Sequence, residues 1–176
     1  INNFGAKYAD GDYLLLLNND TEVITPEWLE NMMGYCQRED VGIVGAKLLY
    51  PDNTVQHAGV VVGIAGFAGH ILTGYDRYAT GYLWRLCTTQ DESAVTGACL
   101  MVKRSVYEEV GGLDESFAVG LNDIDFCLRA RALGKLVVFT PEACLYHYES
   151  KSRGLENTPE KKARLQKEVD HFRERY

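Results

Sequence analysis

An apolar run, Tyr13–Leu17, breaks off abruptly into Asn18, Asn19, Asp20 and Thr21. An unbroken hydrophobic stretch bounded by polar turn residues predicts a strand over Asp12–Leu17 covered on both faces. Thr25 and Pro26 then read as an N-cap and a first helical position, opening a helix through Glu27–Cys36. Val41–Tyr50 is a second strand, followed by a Pro-Asp-Asn turn at 51–53 and a strand or extended segment over Thr54–Ile64. The Gly- and Tyr-rich stretch Gly66–Tyr82 is a loop long enough to carry function. Ser93–Arg104 resumes the strand pattern, and Ser105–Gly112 is a short helix closed by Gly111 or Gly112. A clear helix begins on Asn122 or Asp123 and ends at Gly134, Lys135–Thr140 is another strand, and Thr158 with Pro159 opens a highly charged helix to Tyr176, solvated on most of its surface.

Strands alternating with helices predict an α/β fold with a mainly parallel central sheet flanked by helices. With no internal repeat and no low-complexity linker, residues 1–176 form one domain, of which 158–176 is the charged C-terminal helix. The chain is 46% hydrophobic and 24% charged, the composition of a globular domain with a core of reasonable size. Its net charge of −7 argues against nucleic acid as a partner. Five widely spaced cysteines show no C-x-x-C pairing, and four of them sit in apolar stretches, so they read as reduced, buried thiols of a cytoplasmic protein. No apolar run approaches the ~20 residues of a membrane span, and nothing at the start resembles a signal peptide. Because the chain begins at Ile1, an upstream part is expected to have been removed.

Three clusters carry candidate chemistry. In α/β sheets ligands bind beyond the carboxyl ends of strands. There Asn18, Asn19 and Asp20 offer a carboxylate and amide oxygens to a hard divalent cation, Mg²⁺ or Mn²⁺, with positions left for substrate phosphates. The same residues also suit a plain turn. In Gly111–Lys135 the acids Asp114, Glu115, Asp123 and Asp125 surround a helix start. Asp123, kept ionised by the helix N-terminus, could accept a proton from a hydroxyl nucleophile. Alternatively, Asn122 or Asp123 merely caps the helix, and Asp125 and Arg129 form an i, i+4 pair worth a few tenths of a kcal/mol. Finally, His147 precedes Ser150, Lys151, Ser152 and Arg153, an imidazole able to ligate Mn²⁺ followed by basic groups able to face phosphate. Trp28 reads as core. Trp84, in a tyrosine-rich loop, reads equally as packing or as a stacking platform for a ligand. His57 and His70 read as structural or loop residues.

The ordered motifs N-x-x-G with ADGDYLLLLNNDT, VTGACLMVKR with VGGLDESF, NDIDFCLRARALG, and HYESKSRG resemble the family-2 glycosyltransferases over Asn3–Gly154. The Gln56–His70 stretch further resembles bacterial members that build cell-surface polysaccharides. The resemblance implies a partial GT-A fold, Rossmann-like, that enters after the N-terminal βαβ nucleotide-binding region: a catalytic half whose open sheet edge invites self-association. It implies inverting transfer from a nucleotide-sugar donor to a saccharide or lipid-linked saccharide acceptor, in the cytoplasm or at the inner face of the membrane. Asp20 would be the main metal ligand, with His147 at the metal or diphosphate and Asn18 standing where many members carry an acid. Gly97 and Ala98 would lie beside donor sugar and acceptor. Asp123 would be the general base, with Asn122 replacing the usual Glu of the acceptor contact. A sugar nucleotidyltransferase and a non-catalytic carbohydrate-binding or scaffold module are the competing classes. The first should carry a Gly-rich phosphate loop and a basic catalytic side chain, neither of which is visible; the second would explain Asn at two acid positions. Donor sugar, nucleotide base and acceptor are not legible.

Overall fold

The computed structural model describes residues 1–148 and 158–176. In chain order the elements are α1 (Asn2–Ala6), β1 (Tyr13–Leu17), β2 (Thr21–Val23), α2 (Trp28–Cys36), β3 (Val41–Leu49), β4 (Val55–His57), β5 (Val60–Val62), β6 (Ala68–His70), β7 (Gln90–Asp91), β8 (Cys99–Lys103), α3 (Arg104–Val110), α4 (Asn122–Ala132), β9 (Leu136–His147) and α5 (Pro159–Arg175). The main sheet runs β1-β8-β3-β9-β2, with β4 paired to β3 and β7 to β9, while β5 and β6 form a separate ribbon.

The expected mainly parallel sheet is not what forms. Among the described pairings only β3 with β9 is parallel; β1–β8, β8–β3, β2–β9, β3–β4 and β7–β9 are antiparallel. Hydrophobic patterning reports burial, whereas direction is decided by which strands the connections bring together. The strand buried on both faces is β3, all nine of whose residues are buried. By contrast β1 lies at the edge: Leu14 and Leu16 are buried, Tyr13 and Leu15 half-buried, and Leu17 is 45% exposed. Its second edge has no partner among the described residues, which leaves backbone groups open to another strand.

Successive residues of β8 and β9 point to opposite faces and build two cores. Leu100, Val102, Val137 and Phe139 pack with Val106, Phe126 and Phe172 of α3, α4 and α5, whereas Met101 and Val138 pack with Met32 and Cys36 of α2. Truncating any of these large side chains to Ala would cost about 2–5 kcal/mol.

Local differences from the sequence expectation have identifiable causes. The Thr25–Pro26 start gives way to a turn in which the Trp28 N–H reaches the Thr25 carbonyl at 3.1 Å, and α2 begins at Trp28, which is half-buried against the core. The extended segment 54–64 breaks at Gly59, whose φ of +106° turns the chain between β4 and β5. Only the second half of Ser93–Arg104 is strand; residues 93–98 form the connection that carries Thr96, Gly97 and Ala98. The short helix does close at Gly111, in the left-handed region with φ +84°. Strand β9 joins the Lys135–Thr140 strand to the following apolar residues across a register shift at Pro141, which has no N–H to pair. Thr158 Oγ1 caps α5 by accepting from the Lys161 N–H at 3.3 Å. That helix is less solvated than its charge suggests, for Glu168, Val169 and Phe172 are buried. All five cysteines are free thiols, but they are not all buried: Cys36, Cys99 and Cys127 are, Cys144 is half-buried and Cys87 is exposed. Burial pushes the Cys36 and Cys99 thiols up to about 12, making them poor nucleophiles. No helix among the described residues is long and apolar enough to cross a membrane.

Candidate active site

The turn after β1 is held between two ladders. On one side the Asn18 N–H donates to the Ala98 carbonyl at 2.9 Å; on the other, Thr21 opens β2 directly opposite His147, the last residue of β9. Thr21 Oγ1 closes the turn on the Asn18 carbonyl at 2.9 Å. The segment is therefore both a turn and a rim. His147 is brought to it, its Nε2 lying 3.2 Å from Asn18 Nδ2 and 3.2 Å from Asp20 Oδ1. Asn19 lines a groove at the same turn.

Hydrogen bonding orders the His147 ring. Gln56 donates its amide to the His147 carbonyl at 3.4 Å, which turns its Oε1 toward His147 Nδ1 at 2.7 Å. An oxygen can only accept there, so Nδ1 carries the hydrogen and Nε2 keeps a lone pair, into which the Asn18 amide donates. Asp20 Oδ1 is buried and has no hydrogen-bond donor among the described residues, because its close neighbour is that same lone-pair nitrogen. An orphaned carboxylate oxygen beside an imidazole lone pair is costly without a cation between them. A hard divalent cation with ligands about 2.1 Å away sets neighbouring ligands about 3 Å apart. The residues present therefore fit such an ion. Among the described residues no group of three or more His, Cys, Asp or Glu gathers at one point, so Asp20 and His147 would fill two coordination positions.

Asp123 lies at the opposite end of a short backbone bridge. Its Oδ2 accepts the Gly97 N–H at 2.8 Å and its Oδ1 the Ile124 N–H at 2.9 Å. A Cβ on Gly97 would come within 3.3 Å of the Asp123 Cβ, so glycine permits the close approach. Through Gly97 and Ala98, then, Asp123 is tied to Asn18. Neither Asn122 nor Asp123 occupies the N-cap of α4; Leu121 does, in the left-handed region at φ +62°, with no side-chain cap bond. Asn122 reaches the Val119 carbonyl at 3.5 Å.

The loop ahead of α4 is gripped by α5, a role the sequence did not disclose. Glu168 accepts the Val119 and Gly120 N–H groups at 3.1 and 2.8 Å, and Arg175 Nη1 spans Asp114 at 2.7 Å and Asp125 at 2.6 Å. Asp125 is fully buried and also bound by Arg129 and Tyr176, so it is no surface i, i+4 pair. Leu113, Asp114 and Phe117 of this loop face Asn18 and Asn19 across a groove of about 770 Å³. Gln56 and Glu168 were missed because a lone Gln in a strand and a Glu in a charged helix carry no positional signal. Trp84 joins none of these contacts; it is 64% exposed on the loop ahead of β7. Ser150, Lys151, Ser152 and Arg153 lie outside the described residues.

Residues 2–167 match the family described as Glycosyltransferase like family 2. The chain belongs to that family. Protein y4gI of Sinorhizobium fredii is 50% identical over 177 residues, covering 100% of this chain and 20% of the relative. The O-antigen biosynthesis protein RfbC of Myxococcus xanthus is 46% identical over 165 residues, 91% of this chain and 13% of the relative. This family-2 chain thus spans a fifth or less of these curated relatives. Its fold is that of the GT-A glycosyltransferases. Similar structures include GalNAc-T7 with UDP, GalNAc and Mn²⁺ (TM-score 0.65, 14% identity, 89% of this chain and 31% of that one). Another is the mannosyltransferase PcManGT of Pyrobaculum calidifontis with GDP-Man and Mn²⁺ (TM-score 0.59, 15% identity, 96% and 42%).

Proposed function

We propose that this family-2 domain carries out metal-dependent, inverting transfer of a sugar from a nucleotide-diphosphate donor to a hydroxyl of a saccharide or lipid-linked saccharide, in bacterial surface-polysaccharide synthesis. The observation that carries the reading is the pairing of the orphaned Asp20 Oδ1 with the lone-pair nitrogen of His147, 3.2 Å apart on the strand-end rim. The Mn²⁺ in both similar structures and the O-antigen role in RfbC's name support it.

Asp20 and His147 would hold Mg²⁺ or Mn²⁺, which when bound supplies Lewis-acid stabilisation of the leaving diphosphate. Asp123, oriented by the Gly97 N–H, takes the proton of the acceptor hydroxyl. The hydroxyl oxygen then bonds to the anomeric carbon as the bond from that carbon to the diphosphate oxygen breaks. Asn18 and Asn19 line the wall of the groove facing the loop that α5 restrains, where donor and acceptor would meet. The inverted outcome requires Asp123 and the diphosphate to flank the sugar. The test is calorimetric titration of UDP and dTDP with and without Mn²⁺, alongside Asp20→Ala. Binding that needs the metal and is lost in Asp20→Ala supports the reading, whereas sugar binding indifferent to metal and nucleotide indicates a carbohydrate-binding module.

A further inference from the structure

His57 is fully buried and takes no part in the site described so far. It follows Gln56, the residue that orders the His147 ring, in β4, and pairs with Leu48 of the buried β3. Its ring meets two groups: Nε2 lies 3.4 Å from the Thr96 backbone nitrogen, and Nδ1 lies 2.8 Å from His70 Nδ1. A backbone N–H can only donate. His57 Nε2 is therefore the acceptor, and the hydrogen of the neutral ring is on Nδ1, directed at His70 Nδ1. The other tautomer, or a protonated ring, would set two hydrogens against each other. Burial, then the nearby His70 and His147, push the His57 pKa well below the usual histidine value and favour the same neutral form.

What His57 holds is the connection at residues 96–98, which joins the two halves of the candidate site. Each of its N–H groups has an acceptor: Thr96 on His57 Nε2, Gly97 on Asp123 Oδ2 at 2.8 Å, and Ala98 on Thr96 Oγ1 at 3.3 Å. The Ala98 carbonyl in turn accepts the Asn18 N–H at 2.9 Å. His57 ties this segment to the sheet. Were the Thr96 N–H released, the following peptide could turn, and Gly97, with no side chain to resist, would carry its N–H away from Asp123. Adjacent residues of β4 thus reach both halves, Gln56 at His147 and His57 at the backbone that meets Asp123.

We propose that His57 is a positioning residue for Asp123, acting through the Thr96–Gly97 backbone, and that Gln56 and His57 divide the site between them, one orienting the metal ligand and the other the base. The roles given to His147 and Asp123 rest on the function proposed above; the contacts that orient them do not.

Long-range ¹⁵N–¹H correlation spectra of the parent chain should show hydrogen on Nδ1 of His57; hydrogen on Nε2 overturns the proposal without any variant. In His57→Leu the Gly97 amide proton should move upfield and exchange about tenfold faster as its carboxylate acceptor is lost, while the His147 tautomer and Mn²⁺ titration stay parent-like. His57→Gln, whose side-chain carbonyl can accept the Thr96 N–H, should restore the Gly97 signal. Gln56→Leu should do the converse. His147 should lose its preference for Nδ1–H and Mn²⁺ should bind about 10–100-fold more weakly, with the Gly97 amide unmoved. A parent-like Gly97 amide in His57→Leu, or no recovery in His57→Gln, overturns the positioning role. If each variant disturbs both signals, the division of the site is wrong and β4 is plain scaffold. Failure of the parent chain to bind Mn²⁺ removes the metal-dependent function and the share of Gln56 in it, and the Gly97 amide then decides the role of His57 alone.

Discussion

Asp125 and Asp20 are both withdrawn from solvent, yet one is saturated and the other is left open. Asp125 accepts from Arg129 Nε at 2.8 Å, from Arg175 Nη1 at 2.6 Å and from the Tyr176 hydroxyl at 2.8 Å. Among the described residues Asp20 Oδ1 faces only the lone-pair nitrogen of an imidazole whose hydrogen, on its other nitrogen, is engaged by Gln56. A saturated carboxylate welds elements together, here α4 to α5. One left short of donors in a folded chain stores an electrostatic demand that a ligand can meet.

The largest effect should come from breaking the saturated partner. Asp125→Ala leaves Arg129 and Arg175 without their shared anion and should cost about 3–5 kcal/mol, lowering the Tm by on the order of 10 °C in a thermal melt. Asp20→Asn should instead shift stability by less than about 1 kcal/mol while weakening Mn²⁺-dependent nucleotide binding at least ~100-fold. If the two substitutions destabilise equally, the contrast collapses. Glu168→Gln should cost about 1–2 kcal/mol by replacing charge-assisted acceptors with a neutral one, and exchange at the Val119 and Gly120 amides should quicken by about tenfold. In the other direction, Asn18→Asp adds a carboxylate beside His147 and should tighten Mn²⁺ several-fold by calorimetry.

The smallest effect concerns acid. Hydrogen bonds from Ser116, with Arg175 beside them, hold the Asp114 carboxyl well below the usual carboxylate range. A depressed acid contributes its full stability above the unfolded carboxylate pKa of about 4 and loses it as pH falls toward the lower folded value. Asp114→Asn should therefore flatten the dependence of stability on pH below about 4, read from urea midpoints across that range.

Much of the architecture was legible because it rests on local signals. The Thr158–Pro159 cap, the Gly111 stop and the apolar face of α4 each act within a few residues. Three-residue strands such as β2 and β4 escape that logic, since three positions establish no period. For the candidate site, Asn18, Asp20, Gly97, Asp123 and His147 were singled out by residue type and motif, and the fold links them through the Asn18–Ala98, Gly97–Asp123 and Asp20–His147 contacts. Trp84 shared the right chemistry but lies apart from it. Gln56 and Glu168 act through orientation rather than identity, and no run of letters encodes orientation.

What the sequence by itself determined is the longer elements and the family to which the chain belongs, because propensity, capping and hydrophobic period are properties of neighbours along the chain. Only the tertiary structure decided that the sheet is mostly antiparallel, that β1 is an edge, that Asp125 is spent on Arg175 fifty residues later, and that Asp20 is left facing a lone pair. Those outcomes depend on distances between residues remote in sequence, set by how whole faces pack, and a hydrogen bond exists only where that packing brings a donor to an acceptor.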